Sequence, residues 1–146
     1  MPVVEETLVI EAHADDAWTA VTDVESYPEA MKNVQSVNVV QKESDTARRT
    51  AWSVLLRGSV LQWVQREQLD PARRVVTFQQ ESGDMETYTG HWTVVPLDDD
   101  RCSVTLYVEF EIGIPLMADM LNPIAVTALR ESAHTMLSGL ESRVPR

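Results

Sequence analysis

The chain has 146 residues, 44% of them hydrophobic, and 12 Lys+Arg against 23 Asp+Glu give it a formal charge of −11. That length and apolar content enclose one core, so a single domain over residues 1–146 is expected. The charge repels nucleic acid and anionic membrane surfaces, and the adjacent pairs Arg48-Arg49 and Arg73-Arg74 read as solvated strand ends rather than a phosphate track.

Val3 to Ala12 alternates as a strand, with Val4, Leu8 and Ile10 on one face and Glu6 interrupting it. Asp15 is then placed to cap a helix carrying Asp16 in its first turn and Trp18, Val21 and Val24 at helical spacing. The stretch Ser26-Tyr27-Pro28-Glu29 breaks that helix, because the residue before proline is pushed out of the α region, and a second short helical turn runs towards Met31. From Asn33 to Glu111 the turn signals are Glu43-Ser44-Asp45, Arg57-Gly58, Asp70-Pro71, Ser82-Gly83-Asp84 and Pro96 through Asp100. They delimit six more strands, a meander long enough to need strong curvature. From Pro115 to Val144 the residues Met117, Met120, Leu121, Ile124, Ala128, Leu137 and Leu140 favour one helical face. Asn122-Pro123 inside this stretch implies either a kink or a short helix followed by the main one from Pro123.

Cys102 is the one cysteine, which excludes an intrachain disulfide and fits a reducing, cytoplasmic setting. Glu5, Glu6 and Glu11 interrupt the first dozen residues, so no secretory signal is expected, and no run approaches the ~18 apolar residues of a membrane span. His13, His91 and His134 lack ligand spacing and no Gly-rich phosphate loop appears, so neither a metal nor a cofactor is expected.

Four anchors punctuate this order of elements: Ala17-Trp18, Tyr27-Pro28-Glu29, Gln62-Trp63-Val64, and Gly90-His91-Trp92 with Pro96. Together they resemble the START-like (SRPBCC) superfamily, which includes polyketide aromatase/cyclases, coenzyme Q-binding proteins and lipid carriers. The resemblance covers nearly the whole chain. It implies an α+β helix-grip fold: a seven-stranded curved antiparallel sheet around a long C-terminal helix, with two short helices after the first strand and a ligand cavity between sheet and helix.

In the fourth strand the two-residue period puts Leu61, Trp63, Gln65, Glu67 and Leu69 on one face, taken as the inward one. In the aromatase/cyclases that this strand resembles, an arginine that polarises a polyketide carbonyl falls where this chain has Glu67. A carboxylate repels a developing enolate, so Glu67 either acts as a general acid or base with its proton affinity raised by burial, or pairs with an arginine or with solvent. The tyrosine such enzymes tend to carry near the next strand is replaced here by Asn33-Val34, and Tyr88 or Tyr107 substitutes only if its strand points it inward. The cavity lining is expected to comprise Trp63, Gln65, Leu61, Trp18 and His91, with Met120 and Ile124 from the long helix. His91 shares its face with Thr87, Thr89 and Thr93, which is either a polar stripe for a ligand carbonyl or the solvent face. Cys102 reads as a buried inert thiol.

Three functions remain open on these residues. The first is an apolar small-molecule binder or carrier, for a polyketide, quinone or lipid. The second is a polyketide aromatase/cyclase that performs aldol cyclisation and dehydration using Glu67. The third is a protein-interaction module whose cavity has closed.

Overall fold

The computed structural model of the chain describes residues 2–56, 59–111 and 118–143, with side chains over 2–55, 60–111 and 126–141. Strand β1 (Val3–Ile10) leads into helix α1 (Ala14–Thr22), a 3-10 turn (Val24–Ser26) and the one-turn helix α2 (Tyr27–Ala30). Six strands follow: β2 (Val34–Lys42), β3 (Ala47–Leu56), β4 (Ser59–Asp70), β5 (Val75–Gly83), β6 (Thr87–Asp98) and β7 (Arg101–Glu111). Helix α3 (Ala118–Arg143) closes the fold. The strands form one antiparallel sheet in the order β1-β7-β6-β5-β4-β3-β2, curved around α3, which is the helix-grip arrangement.

Local chemistry explains both the elements and their departures from expectation. In β1, Val4 and Ile10 are buried as the alternation requires, and Glu6, on the same face, reaches Arg130 of α3 at 3.5 Å. The cap of α1 is His13 rather than Asp15: its Nδ1 accepts from the Asp15 amide at 3.0 Å, while the Asp15 carboxylate is taken by Arg74 at 2.6 Å. Strand β5 runs on through Gly83, and β6 runs past Pro96 to Asp98. A register shift between Pro96 and Asp98 accommodates the missing N–H. The expected break at Arg57-Gly58 lies outside the described residues, as do Pro115 and Met117.

Helix α3 is one 26-residue helix that runs through Asn122-Pro123, not two. At 1.5 Å per residue it is about 39 Å long, enough to cross the sheet. Its buried face carries Leu129, Ala133, Met136, Leu137 and Leu140, and each fully buried leucine contributes about 2 kcal/mol of transfer free energy. A glycine in a helix interior weakens the helix, yet Gly139 is required here because a Cβ would lie 2.6 Å from the Ala30 carbonyl oxygen. That close approach holds α3 against α2. Among the described residues no helix is long and apolar enough to cross a membrane.

Candidate functional site

Strands β3 and β4 pair so that Arg48 faces Glu67, Thr50 faces Gln65, Trp52 faces Trp63 and Val54 faces Leu61. The two-residue period brings all four pairs to the face that α3 covers, grading from ionic to apolar along the strands. Glu67 is 1% exposed. Its Oε1 accepts from Arg48 Nε at 2.7 Å, and its Oε2 accepts from the Thr50 hydroxyl at 2.8 Å and from Gln65 Nε2 at 2.7 Å. The strings continue outward: Trp52 Nε1–H donates to Thr50 Oγ1, and Trp63 Nε1–H donates to Gln65 Oε1, each at 2.7 Å. Two indoles stacked 5.8 Å apart at 3° are thereby tied by their N–H groups to one carboxylate. Every partner of Glu67 is a donor, so both its oxygens serve as acceptors.

This network corrects one reading of the sequence. Arg48 is not a solvated strand end: its side chain is 15% exposed and forms the ion pair with Glu67, and its Nη2 is buried without a partner. Its neighbour Arg49, on the opposite phase of the strand, points outward and pairs with Glu81 at 2.7 Å.

Beyond the network lies a cavity of about 20 Å³, room for about one water molecule. Trp52, Trp63, Gln65, Phe78, Tyr88 and Trp92 line it from the sheet. Leu129, Ser132 and Met136 line it from α3. Tyr88 packs against Trp63 with ring centroids 5.0 Å apart and against Phe78 at 5.5 Å. Burial pushes the Tyr88 phenol well above its ordinary pKa, and its hydroxyl has no hydrogen-bond partner among the described residues. Ser132 takes a hydrogen bond from the Asn33 side-chain amide, leaving Asn33 Oδ1 buried without a partner. Tyr27 closes the far side, edge-on to Trp52 and Trp92, with its hydroxyl donating to the Val21 carbonyl.

Of the residues expected to line the cavity, Trp63 and Gln65 do so. Leu61 and Trp18 are half-buried and pack against the core, but neither lines this space. Glu67 lies behind Gln65 and also stays off the lining. His91 faces away from α3: in β6 the residues Tyr88, Trp92 and Val94 take the inner phase, which leaves His91 outside, stacked on Tyr107 at 5.0 Å. There it borders an open outer groove with Arg66 and Gln68. The side chains of Met120 and Ile124 lie outside the described residues. Cys102 is fully buried and burial pushes its thiol up, which suits an inert side chain. The sequence reading missed Ser132, and in Asn33 it saw only the absence of a tyrosine; the meeting of the two across 99 residues has no local signature.

Known proteins carry the same plan. Over 111 residues, 75% of this chain, the sequence is 29% identical to the granaticin polyketide synthase bifunctional cyclase/dehydratase of Streptomyces violaceoruber. The match spans about a third of that relative's length, 34%. The structure of TTHA0849 from Thermus thermophilus superposes with a TM-score of 0.91 at 26% identity, covering 97% of this chain and 96% of that one. The Zhui aromatase/cyclase from Streptomyces sp. R1128 shares the fold, with a TM-score of 0.87 at 22% identity over 97% of this chain and 92% of that one. The family model described as polyketide cyclase / dehydrase and lipid transport matches residues 10–137, and the chain belongs to that family.

Proposed function

We propose that the chain binds an apolar small molecule, a polyketide, quinone or lipid, between the sheet and α3 and acts as a binding or carrier protein. The observation that carries this reading is the state of Glu67. A general acid or base needs a free face within hydrogen-bond reach of the reacting atoms. Glu67 instead accepts from three donors and is separated from the cavity by Gln65. Its evident work is to fix the two stacked tryptophans, which give a flat ring system a rigid wall.

Binding on this reading is coupled to opening. Small-molecule pockets hold roughly 300–1,000 Å³, against about 20 Å³ here. The adaptable side chains at the boundary are Met85 and Met136, whose unbranched thioethers rearrange at little cost. Observed affinity falls by the fraction of molecules that are open.

A second reading, cyclisation and dehydration as in the name of the granaticin relative, has one observation in its favour: Tyr88 is inward, buried and protonated, so a proton donor is present in the cavity. One experiment separates the readings. The purified chain is titrated with aromatic polyketides, quinones and fatty acids, using tryptophan fluorescence and native mass spectrometry, and is then incubated with a linear poly-β-ketone. A carrier takes up one ligand per chain and returns the linear compound unchanged. A new ring-containing product would replace this reading with the cyclase. Absence of uptake for every ligand class would replace both with the closed-core interaction module.

A further inference from the structure

We propose that Tyr88 is the hydrogen-bond donor that orients ligand in this cavity, and that it selects molecules bearing a ketone or quinone oxygen over the matching hydrocarbons and over fatty acids. The inference rests on the ligand-binding reading above and adds to it a chemical class and a selecting residue.

Most polar groups on the cavity wall are already engaged. The indole N–H groups of Trp52 and Trp63 are spent, on Thr50 and Gln65. Gln65 accepts from Trp63 at Oε1 and gives one of its two Nε2 hydrogens to Glu67. Ser132 is engaged by Asn33 and lies 4.0 Å from the Met136 sulfur. What remains is the Tyr88 hydroxyl, on a side chain that is 9% exposed and lines the cavity, together with the Trp92 indole N–H and the second Nε2 hydrogen of Gln65; Tyr88 is the one hydroxyl among them. A hydroxyl without a protein partner on a cavity wall keeps its bonding capacity for a ligand.

The ring is held on two sides, by Trp63 and by Phe78, so the hydroxyl direction is fixed before any ligand arrives. Because burial keeps the phenol protonated, it meets a ligand as a donor. A neutral carbonyl oxygen is the complementary group. A fatty-acid carboxylate is a poor match, since no cationic side chain lines the cavity among the described residues and an unpaired buried charge is heavily disfavoured. A hydrocarbon leaves the hydroxyl unpaired. Gly90 supports the arrangement from below: it lies opposite Phe78 across β5 and β6, and a Cβ there would come within 2.9 Å of the Phe78 ring that packs on Tyr88.

The test uses matched flat pairs, 1-indanone with indane and 9-fluorenone with fluorene, titrated calorimetrically into the wild-type chain and Tyr88→Phe. The expected result is that the ratio of ketone to hydrocarbon affinity falls about tenfold in Tyr88→Phe, while hydrocarbon affinity stays within about twofold. The carbonyl infrared stretch of bound ketone should also lie below its position in hexane in the wild type and move back towards it in Tyr88→Phe, a difference that a merely structural tyrosine would not cause. Binding of both members with an unchanged ratio overturns the role of Tyr88 and leaves the cavity reading standing. Failure of all four compounds to bind either protein overturns the cavity reading, and this inference with it. Should Tyr88→Phe not fold, the infrared band in the wild-type complex decides alone, and a band at the hexane position overturns the proposal.

Discussion

Strands β4 and β6 flank β5 and face the same helix, yet they treat buried polarity in opposite ways. On β4, Glu67, Gln65 and Trp63 bond along the strand and across to Arg48 and Thr50, and the side-chain donors of Thr50, Trp52 and Trp63, with one N–H of Gln65, all end on an acceptor. On β6, Tyr88 lies among Trp63 and Phe78 with a hydroxyl that has no partner among the described residues. Apart from Arg48 Nη2 and one Gln65 N–H, the donors of this network are engaged, and bonds running along and across the strands make a rigid wall. An unsatisfied group beside it is the position from which a ligand can be held. On the proposed reading, the group that holds a ligand sits on the strand with fewer polar residues.

The largest test of this contrast is on β4. Glu67→Gln removes the charge while keeping the shape, and leaves Arg48 buried without its counter-ion. Removing one member of a buried pair costs about 3–5 kcal/mol. Urea denaturation should show a loss at the low end of that range, since Arg48 retains some exposure. The paired change Arg48→Met with Glu67→Met should recover most of it. If Glu67 were instead a free catalytic carboxylate, Glu67→Gln would leave stability nearly unchanged.

The next effect falls on β6. Gly90→Ala would place a Cβ 1.9 Å from the Tyr107 carbonyl oxygen of the neighbouring strand, so backbone has to move rather than a side-chain tip. Overpacking of this kind costs about 1–3 kcal/mol, and the upper end is expected here because β6 and β7 must separate locally. Amide exchange of Val108, opposite Gly90, should accelerate more than that of residues in β2. Equal acceleration across the sheet would mean that the glycine serves general stability and not the seat of Phe78.

A smaller effect, of the other sign, is expected at Tyr88. Removing a hydroxyl that lacks a partner among the described residues gives up no internal hydrogen bond, so Tyr88→Phe should leave the melting temperature unchanged or raise it slightly. A drop of several degrees would show that the hydroxyl is already satisfied in the free protein, which erases the difference between the two strands.

These residues also show which parts of the structure the sequence discloses. The β4 face was legible because Leu61, Trp63, Gln65 and Glu67 keep a strict period of two between clear turn signals. The phase of β6 was harder to read: Gly90 leaves a gap in the apolar series, and threonines suit either face of a pleat, so His91 could be assigned to the wrong side. Arg48 was misread for a different reason. Two adjacent arginines look alike in a sequence, and only the register that sets Arg48 opposite Glu67 separates a buried ion pair from an exposed one. Register is fixed by pairing between strands, which local pattern does not contain. The same holds for α1, where the Asp15 carboxylate goes to Arg74, 59 residues away, and the cap falls to His13.

That surface pair supplies the smallest prediction and the reference for what burial does on β4. Arg74 donates to Asp15 Oδ1 through Nη2 at 2.6 Å and Nε at 3.1 Å. The hydrogen bond from Arg74 is the chief cause that holds the Asp15 carboxyl below its usual value, with the charges of Arg74 and His13 adding to it. A depressed folded value means that any stabilisation is fully present above the unfolded value of about 4 and is lost as pH falls through the lower folded one. Because Asp15 is exposed, solvent and salt screen the pair and the change in stability should be slight. Carboxyl NMR titration should place the Asp15 midpoint below the usual range in the wild type and return it towards that range in Arg74→Gln, with neutral-pH stability little altered. If Asp15→Asn instead destabilised the chain as much as Glu67→Gln, the strength of the β4 network would come from ion pairing alone, and enclosure under α3 would add nothing to it.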